Sequence, residues 1–517
     1  MRIATNVSAI VSNNALQKSQ DRLTKSIARL SSGYKINSSS DDAAGYAISE
    51  KMRLQLRGLN QADNNAADGV SVLHTAEGAM EEIQSMLARM KELSVQAANG
   101  TNSVDERSAI QSEIDSLNSE IDRISSNTEF NSQTLISGNL SRRVYSNYEG
   151  VNQIEVSDNF VAGNYGITIT QDARQAIVVG NGAVTMSDTA TVTKEQAGTI
   201  SMNGYGIEIS EGDTLAGIMG KLVDGADKIG GRVFAITAGA TNDTKVNGTD
   251  YAGYEPQTSY AGNNIVFMTK ESGSSKTMNI TCSNAELANM LGIATAATNS
   301  GMYAEGSDVQ AEFTLDNDGK RVGFADSAVI STSGTRVTVK DVNNRTFVTD
   351  VPSNVAGTQF SDTVKADDKS TATSTQTAKV TQEVTDVGTM SVHVGANENQ
   401  VILIDIPAVT SYTLGTENLN VMTSVTASEA IDTIDTAVAY ANRVRSQMGA
   451  YENRFEHTTN NLGTASENLT SAISTMTDTD MAEEMTEYTS LNVMTQAATS
   501  ILVQANERPS TVLQILQ

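Results

Sequence analysis

Tryptophan is absent from the 517 residues, Cys occurs once and Pro four times. The single Cys282 excludes an intrachain disulfide, so any stable fold stands without such staples. Basic residues are the scarcer sign, 35 Lys and Arg against 61 Asp and Glu, for a net charge of -26. That field repels phosphate and argues against nucleic acid and anionic lipid as partners. No apolar run is long enough to cross a bilayer, so no membrane insertion is expected. The opening "MRIATNVSAIVSNNALQKSQDRL" breaks its apolar residues with Asn, Ser and Gln, unlike a cleavable export signal. Apolar residues still make up 39% and charged residues 19%, which supports packed cores over wholesale disorder.

Signals for catalysis are equally scarce. The His residues, 74, 393 and 457, lie far apart, and none has the His-Glu-x-x-His spacing of a helix-borne zinc site. "GNGAVTMSDTAT" lacks the ending of a phosphate-binding loop, and "DNDGK" at 316–320 lacks the Glu that completes a calcium loop. Cys282 in "NITCSN" reads as a small buried residue. The expectation is a non-enzyme with no cofactor and no metal.

Helical periodicity is abundant at both ends. Leu16, Leu23, Ile27 and Leu30 step by seven, four and three, a heptad seam, with Ile3, Val7 and Ile10 continuing it backwards. "LSSGYKINSSSDDAAG" then breaks the helix. From about Ala43, one stripe runs through Met52, Leu56, Leu59, Ala66, Val70, Leu73, Met80, Ile83, Leu87 and Met90, interrupted by Gly58, Gly69 and Gly78. After "ANGTNS", Ser103 and Glu106 have capping-box spacing, and Ile110, Ile114, Leu117, Ile121 and Ile124 predict a helix to about Ser125. Towards the other end, Thr426 and Glu429 again have that spacing. Ile431 through Met476 hold helical periodicity, "TDTD" at 477–480 interrupts, and a last helix carries Met481, Leu491, Ile501 and Ala505. Pro509 is expected to bend or end it.

A narrow heptad stripe cannot be buried by its own helix. Stripes at both ends of the chain therefore predict that the ends pair as an antiparallel bundle. The middle, about 141–425, is then an insertion. Its alternating segments "NQIEVSD", "YGITITQ", "RVTVKD", "MSVHVG" and "VILIDI" read as strands, with helices at 215–223 and 284–291. "VKADDKSTATSTQTAKVTQ" reads as a surface loop or an edge strand. The fold class is thus multidomain: a long α-helical bundle and coiled coil built from both termini, with an inserted β-rich α+β outer region.

Several segments resemble bacterial flagellin, the filament subunit of the flagellum. They are "LSSGYKINSSSDDAAGYAISEKM", "LARMKELSVQAANGTNS", "EIDSLNSEIDRISSNTEFN" and the terminal "AATSILVQANERPSTVLQILQ". Within the middle, "GTISMNGYGIEISEGDTLAGIMGKL" is similar to a small strand–strand–helix motif of flagellins and hook-associated proteins. The resemblance implies three regions: 1–45 with 478–517 as a terminal coiled coil, 46–180 with 386–477 as a helical shell, and 181–385 as a variable outer part.

It further implies a helical homopolymer for swimming, extracellular, its subunits exported by the flagellar apparatus without a cleaved signal. The implied partners are other copies, an export chaperone, the filament cap and hook-associated junction proteins. Leu16, Leu23, Ile27, Leu30, Ile501, Leu502, Val512, Leu513 and Leu516 are the implied coiled-coil and polymerisation residues. The family's contact motif for a Toll-like innate immune receptor maps onto Leu87, Arg89, Leu93 and Glu113, with Ala88 where the family often has Gln. Two alternatives stand beside this: a hook–filament junction protein, and an adhesin-like ligand acting through 181–385.

Overall fold

The computed structural model describes residues 6–516, apart from 158–159, 181, 238–260, 294–301, 317, 343–344, 354, 357–358, 361–371 and 375–376. Eight helices run in chain order through the described residues: α1 Val7–Ser32, α2 Ala43–Ala98, α3 Val104–Asn127, α4 Leu215–Lys228, α5 Ala285–Met290, α6 Ser411–Leu414, α7 Ser424–Thr477 and α8 Met481–Leu516. The chain divides into two units, Met1–Val70 with Val392–Ile402 and Asn453–Gln517, and Ser71–Ser391 with Leu403–Glu452.

In the first unit α1 and α8 pair antiparallel. Asn6 meets Ala505, Arg22 meets Glu487 and Arg29 meets Glu484, so rising numbers on one helix meet falling numbers on the other. The polar break after α1 and the one before α8 lie side by side. Lys35 N–H donates to Thr477 O at 2.7 Å and Thr479 N–H to Gly33 O at 2.9 Å. Gly33 ends α1 in the left-handed region at φ 78°, where a side chain would be strained. Gly69 of α2 has a packing role beyond its weak propensity, because a Cβ there would meet the ring of Phe455 on α7. Pro509 does not end α8, whose helical backbone continues to Leu516.

The second unit holds the helical core. Leu73, Met80, Ile83, Leu87, Met90 and Leu93 of α2, Ile110, Ile114 and Ile121 of α3, and Ile434, Ala441, Val444 and Met448 of α7 are all buried. All but Leu93 are residues that the periodicity places on the stripes of their helices. The Ser103–Glu106 capping box at the start of α3 is present in both directions. The expected Thr426–Glu429 box is not. α7 begins earlier, and Thr423 and Thr426 exchange hydrogen bonds instead, 3.1 Å and 3.2 Å, with Thr423 standing before the first turn.

Among the described residues, the β-rich part of this unit has two large cores and a small cluster of Ile177, Phe234, Val266 and Met268. Around the first, strands 329–333, 336–340, 346–350 and 152–156 form one antiparallel sheet, and 310–313, 163–171, 378–384 and 144–146 another. Phe160, Tyr165, Phe324 and Phe347 pack edge-on between them. The second core collects α4, α5 and the strands 198–202, 205–209, 277–282 and 302–305, with Leu215, Leu222 and Ile280 buried. The stretch 364–382 meets the expectation in part: 372–374 is an edge strand paired with 359–360. Its last residues, 378–382, lie in a central strand, with partners on both sides, because Ala378 and Val380 point into the first core. Of the remainder, 364–371 and 375–376 lie outside the described residues.

Candidate assembly surface

The coiled coil of α1 and α8 is covered on one face only. On α1 the covered positions are Ala9, Ser12, Leu16, Ser19, Leu23, Ser26 and Leu30, alternating leucine and serine layers. On α8 they include Glu484, Tyr488, Leu491, Thr495, Ala498, Leu502 and Ala505. Leu16, Leu23, Leu30 and Leu502 thus stand at the seam, half-buried. Ile27 does not: it is 48% exposed, and Ser26 takes the buried place beside it. Val512, Leu513 and Leu516 belong to α8, but their side chains lie outside the described residues.

The opposite faces are apolar as well. Val7, Ile10, Val11 and Ile27 of α1 and Met481, Met485, Val493, Met494, Ile501 and Val503 of α8 are exposed. Met485, Val493 and Met494 line a shallow depression along α8 with Thr486, Thr489 and Ser490. Covering one such aliphatic side chain contributes roughly 1.5–3 kcal/mol.

The second unit carries the Arg89 neighbourhood. Arg89 Nε and Nη2 donate to Glu113 Oε1 at 3.0 and 2.9 Å, and Nη1 donates to Glu92 Oε2 at 3.2 Å. These hydrogen bonds, Glu113 first, raise the Arg89 pKa above its ordinary value. Arg89 and Glu113 are about half exposed, whereas Leu87 and Leu93 are buried beneath them. The four residues cluster, but the leucines lie in the helical core and only the charged pair reaches the surface.

One group of ligand-type side chains converges among the described residues, His74, Glu77 and Glu452. His74 Nε2 lies 3.5 Å from Glu452 Oε1, and Arg445 lies 3.3 Å from Glu77, balancing one of the two carboxylates. No helix among the described residues is long and apolar enough to cross a membrane.

Two family models match, the bacterial flagellin N-terminal helical region over residues 3–141 and the C-terminal helical region over 431–516. A flagellin of Clostridium tyrobutyricum is 31% identical over 509 residues, covering 96% of this chain and 98% of that one. The chain belongs to the bacterial flagellin family. A flagellin of Salmonella typhimurium is 30% identical over 547 residues, covering all of this chain and 99% of that protein. Flagellin B of Vibrio anguillarum is 28% identical over 517 residues, with the same coverage. As a flagellin, the chain is a structural protein and not an enzyme. It is a subunit of the extracellular flagellar filament that serves motility.

Sequence reasoning missed Asn6. It donates to Ala505 O across the coil, a contact that no local pattern signals.

Proposed function

We propose that this flagellin polymerises chiefly through α1 and α8, which order fully only when other copies cover their outer faces. The observation that carries this is the row of exposed aliphatic residues opposite the seam, Val7, Val11, Val493, Ile501 and Val503 among them. A second support is the seam itself. Its leucine layers alternate with Ser12, Ser19 and Ser26. Such a coil buries too little apolar surface to offset the ordering of two long helices. In the polymer, residues 1–45 with 478–517 form the core, 46–180 with 386–477 the shell, and 181–385 the solvent-facing part. Small packing differences between rows of subunits give the filament its supercoil, which turns rotation into thrust.

Before assembly, the subunit travels through the flagellar export apparatus without a cleaved signal, its last helix covered by an export chaperone. It then adds beneath the filament cap, beyond the junction proteins. The test is regrowth. Purified filaments are dissociated by heat, and the subunits are followed by electron microscopy. The full chain regrows filaments, and a chain lacking 501–517 does not. Normal polymerisation of the truncated chain would refute the role given to α8.

A second reading concerns the released subunit. Arg89 and Glu113 form an exposed, mutually fixed charged pair on a helical surface. This favours recognition by a Toll-like receptor through that pair, with Leu87 and Leu93 supporting it from below.

A further inference from the structure

The last helix contains a proline, and the first helix carries its remedy. Pro509 stands within α8, whose backbone runs on to Leu516. Proline has no N–H, so the carbonyl four residues earlier, that of Ala505, receives no donor from it. Ala505 is buried against α1, where a carbonyl without a donor is costly. The donor comes from the other end of the chain: Asn6 Nδ2 donates to Ala505 O at 2.9 Å, across 499 positions of sequence. The other half of the same amide works on its own helix. Asn6 Oδ1 accepts the Ala9 N–H at 3.2 Å, capping α1, and accepts the Ser8 hydroxyl at 2.7 Å.

We propose that Asn6 and Pro509 are a matched pair that sets the register of α1 against α8. The α1 side of the seam does not set it strongly by packing, so the pair acts beside Arg22–Glu487, Arg29–Glu484 and the Lys35–Thr477 and Thr479–Gly33 backbone bonds. Leu16, Leu23 and Leu30 repeat every seven residues on α1, as do Ser12, Ser19 and Ser26. A slip of one heptad, about 10 Å at the helical rise, rebuilds similar leucine and serine layers on that helix. The proline is not repeated: of the four in the chain, only Pro509 lies in α8. It marks one carbonyl in an otherwise periodic helix. In the observed register Asn6 meets that carbonyl. In a slipped register Asn6 faces a carbonyl already bonded within its helix; the slip that brings Asn13 opposite Ala505 offers an amide from inside α1, without the cap geometry that fixes Asn6. A buried polar group placed this way selects one alignment among several of similar packing.

The residue type follows from this double duty. Asp and Ser cap a helix about as well as Asn. Asp supplies no donor and would set a carboxylate against the Ala505 carbonyl, while Ser has a single, shorter hydroxyl for both duties.

The inference rests on the polymerisation reading above, and the test separates the two. Full-length parent, Asn6→Asp, Pro509→Ala and the double variant are heat-dissociated and regrown from seeds. The monomer left in equilibrium with filament is measured by sedimentation, with helix content checked by circular dichroism. Asn6→Asp keeps the cap and loses the donor, and it raises the residual monomer about tenfold, equivalent to about 1.4 kcal/mol. Pro509→Ala restores the N–H but removes the mark on Ala505, so its residual monomer rises above the parent's, by less than that of Asn6→Asp. The double variant returns to within about twofold of Pro509→Ala, a rescue that loss of a cap alone would not show. Parental assembly by Asn6→Asp, or a double variant as impaired as Asn6→Asp, overturns the pairing alone. A parent that fails to regrow overturns the polymerisation reading, and the need for a register with it.

Discussion

The ring of Phe455 on α7 lies against the bare α-carbon of Gly69 on α2, so that a Cβ built at Gly69 would sit 2.9 Å from Phe455 Cζ. Phe455 is fully buried and has little room to yield. Gly69→Ala is expected to destabilise by about 1–3 kcal/mol through overpacking. Gly78, on the same helix, has open space where its Cβ would go. Gly78→Ala should instead gain up to about 1 kcal/mol of helix propensity. Thermal unfolding of the two variants checks this, and equal shifts would refute the contact argument.

Arg89 and Leu87 make opposite predictions although they are two positions apart. Arg89→Ala removes an exposed ion pair with Glu113, so stability changes little while receptor signalling drops. Leu87→Ala empties a fully buried site and costs about 2–5 kcal/mol. A cell reporter measures the signalling and denaturant unfolding measures the stability. Undiminished signalling by Arg89→Ala would sink the receptor mapping.

Glu155, on the strand 152–156, is buried and held by both arms of Arg443 on α7, at 3.1 Å and 2.7 Å. Arg443→Ala leaves that carboxylate buried without its cation. Because the Arg443 side chain is itself partly exposed, the expected loss is about 1–3 kcal/mol, between that of an exposed and a fully buried pair. Urea unfolding reads it directly, and a loss under about 1 kcal/mol would mean that water reaches Glu155.

Glu429 gives a pH dependence. Burial raises its pKa above the ordinary value, although Lys276 at 3.9 Å opposes the shift. A carboxyl whose folded pKa is raised favours folding when protonated. Its contribution is complete below the unfolded value, near about 4.3, and is lost as pH rises through the folded value. Glu429→Gln should therefore melt higher than the parent at pH 7, and the difference should vanish below about pH 4. A variant melting lower at pH 7 would show that the Lys276 pair outweighs burial.

Local features were legible in the sequence and distant ones were not. The Ser103–Glu106 box depends on residues three apart and is present as read. The Thr426–Glu429 box has the same spacing, but spacing alone does not say where a helix begins. The neighbouring Thr423–Thr426 exchange starts α7 earlier. The seven-step leucines of α1 lie at the seam, yet Ile27 points outward and Ser26 inward. Hydropathy misleads there because the exposed face of the coil is as apolar as its seam. The central place of 378–382 depends on strands 144–146 and 163–171, more than two hundred positions earlier, which no local pattern encodes. The Asn6–Ala505 bond is the extreme case, since neither residue is unusual until its partner is known.

That bond also has a meaning in time. Closing a loop costs entropy that grows with the logarithm of its length, and the loop between Asn6 and Ala505 spans nearly the whole chain. The hairpin of 329–333 with 336–340 closes over a few residues, and α2 meets α3 across one short turn. Such nearby pairings form early, while the terminal pairing becomes inexpensive only once the chain between has collapsed. The two end helices are therefore the last to zip together during folding and the first to fray on warming. The body of the subunit is finished while its ends are still free to choose between each other and a neighbour.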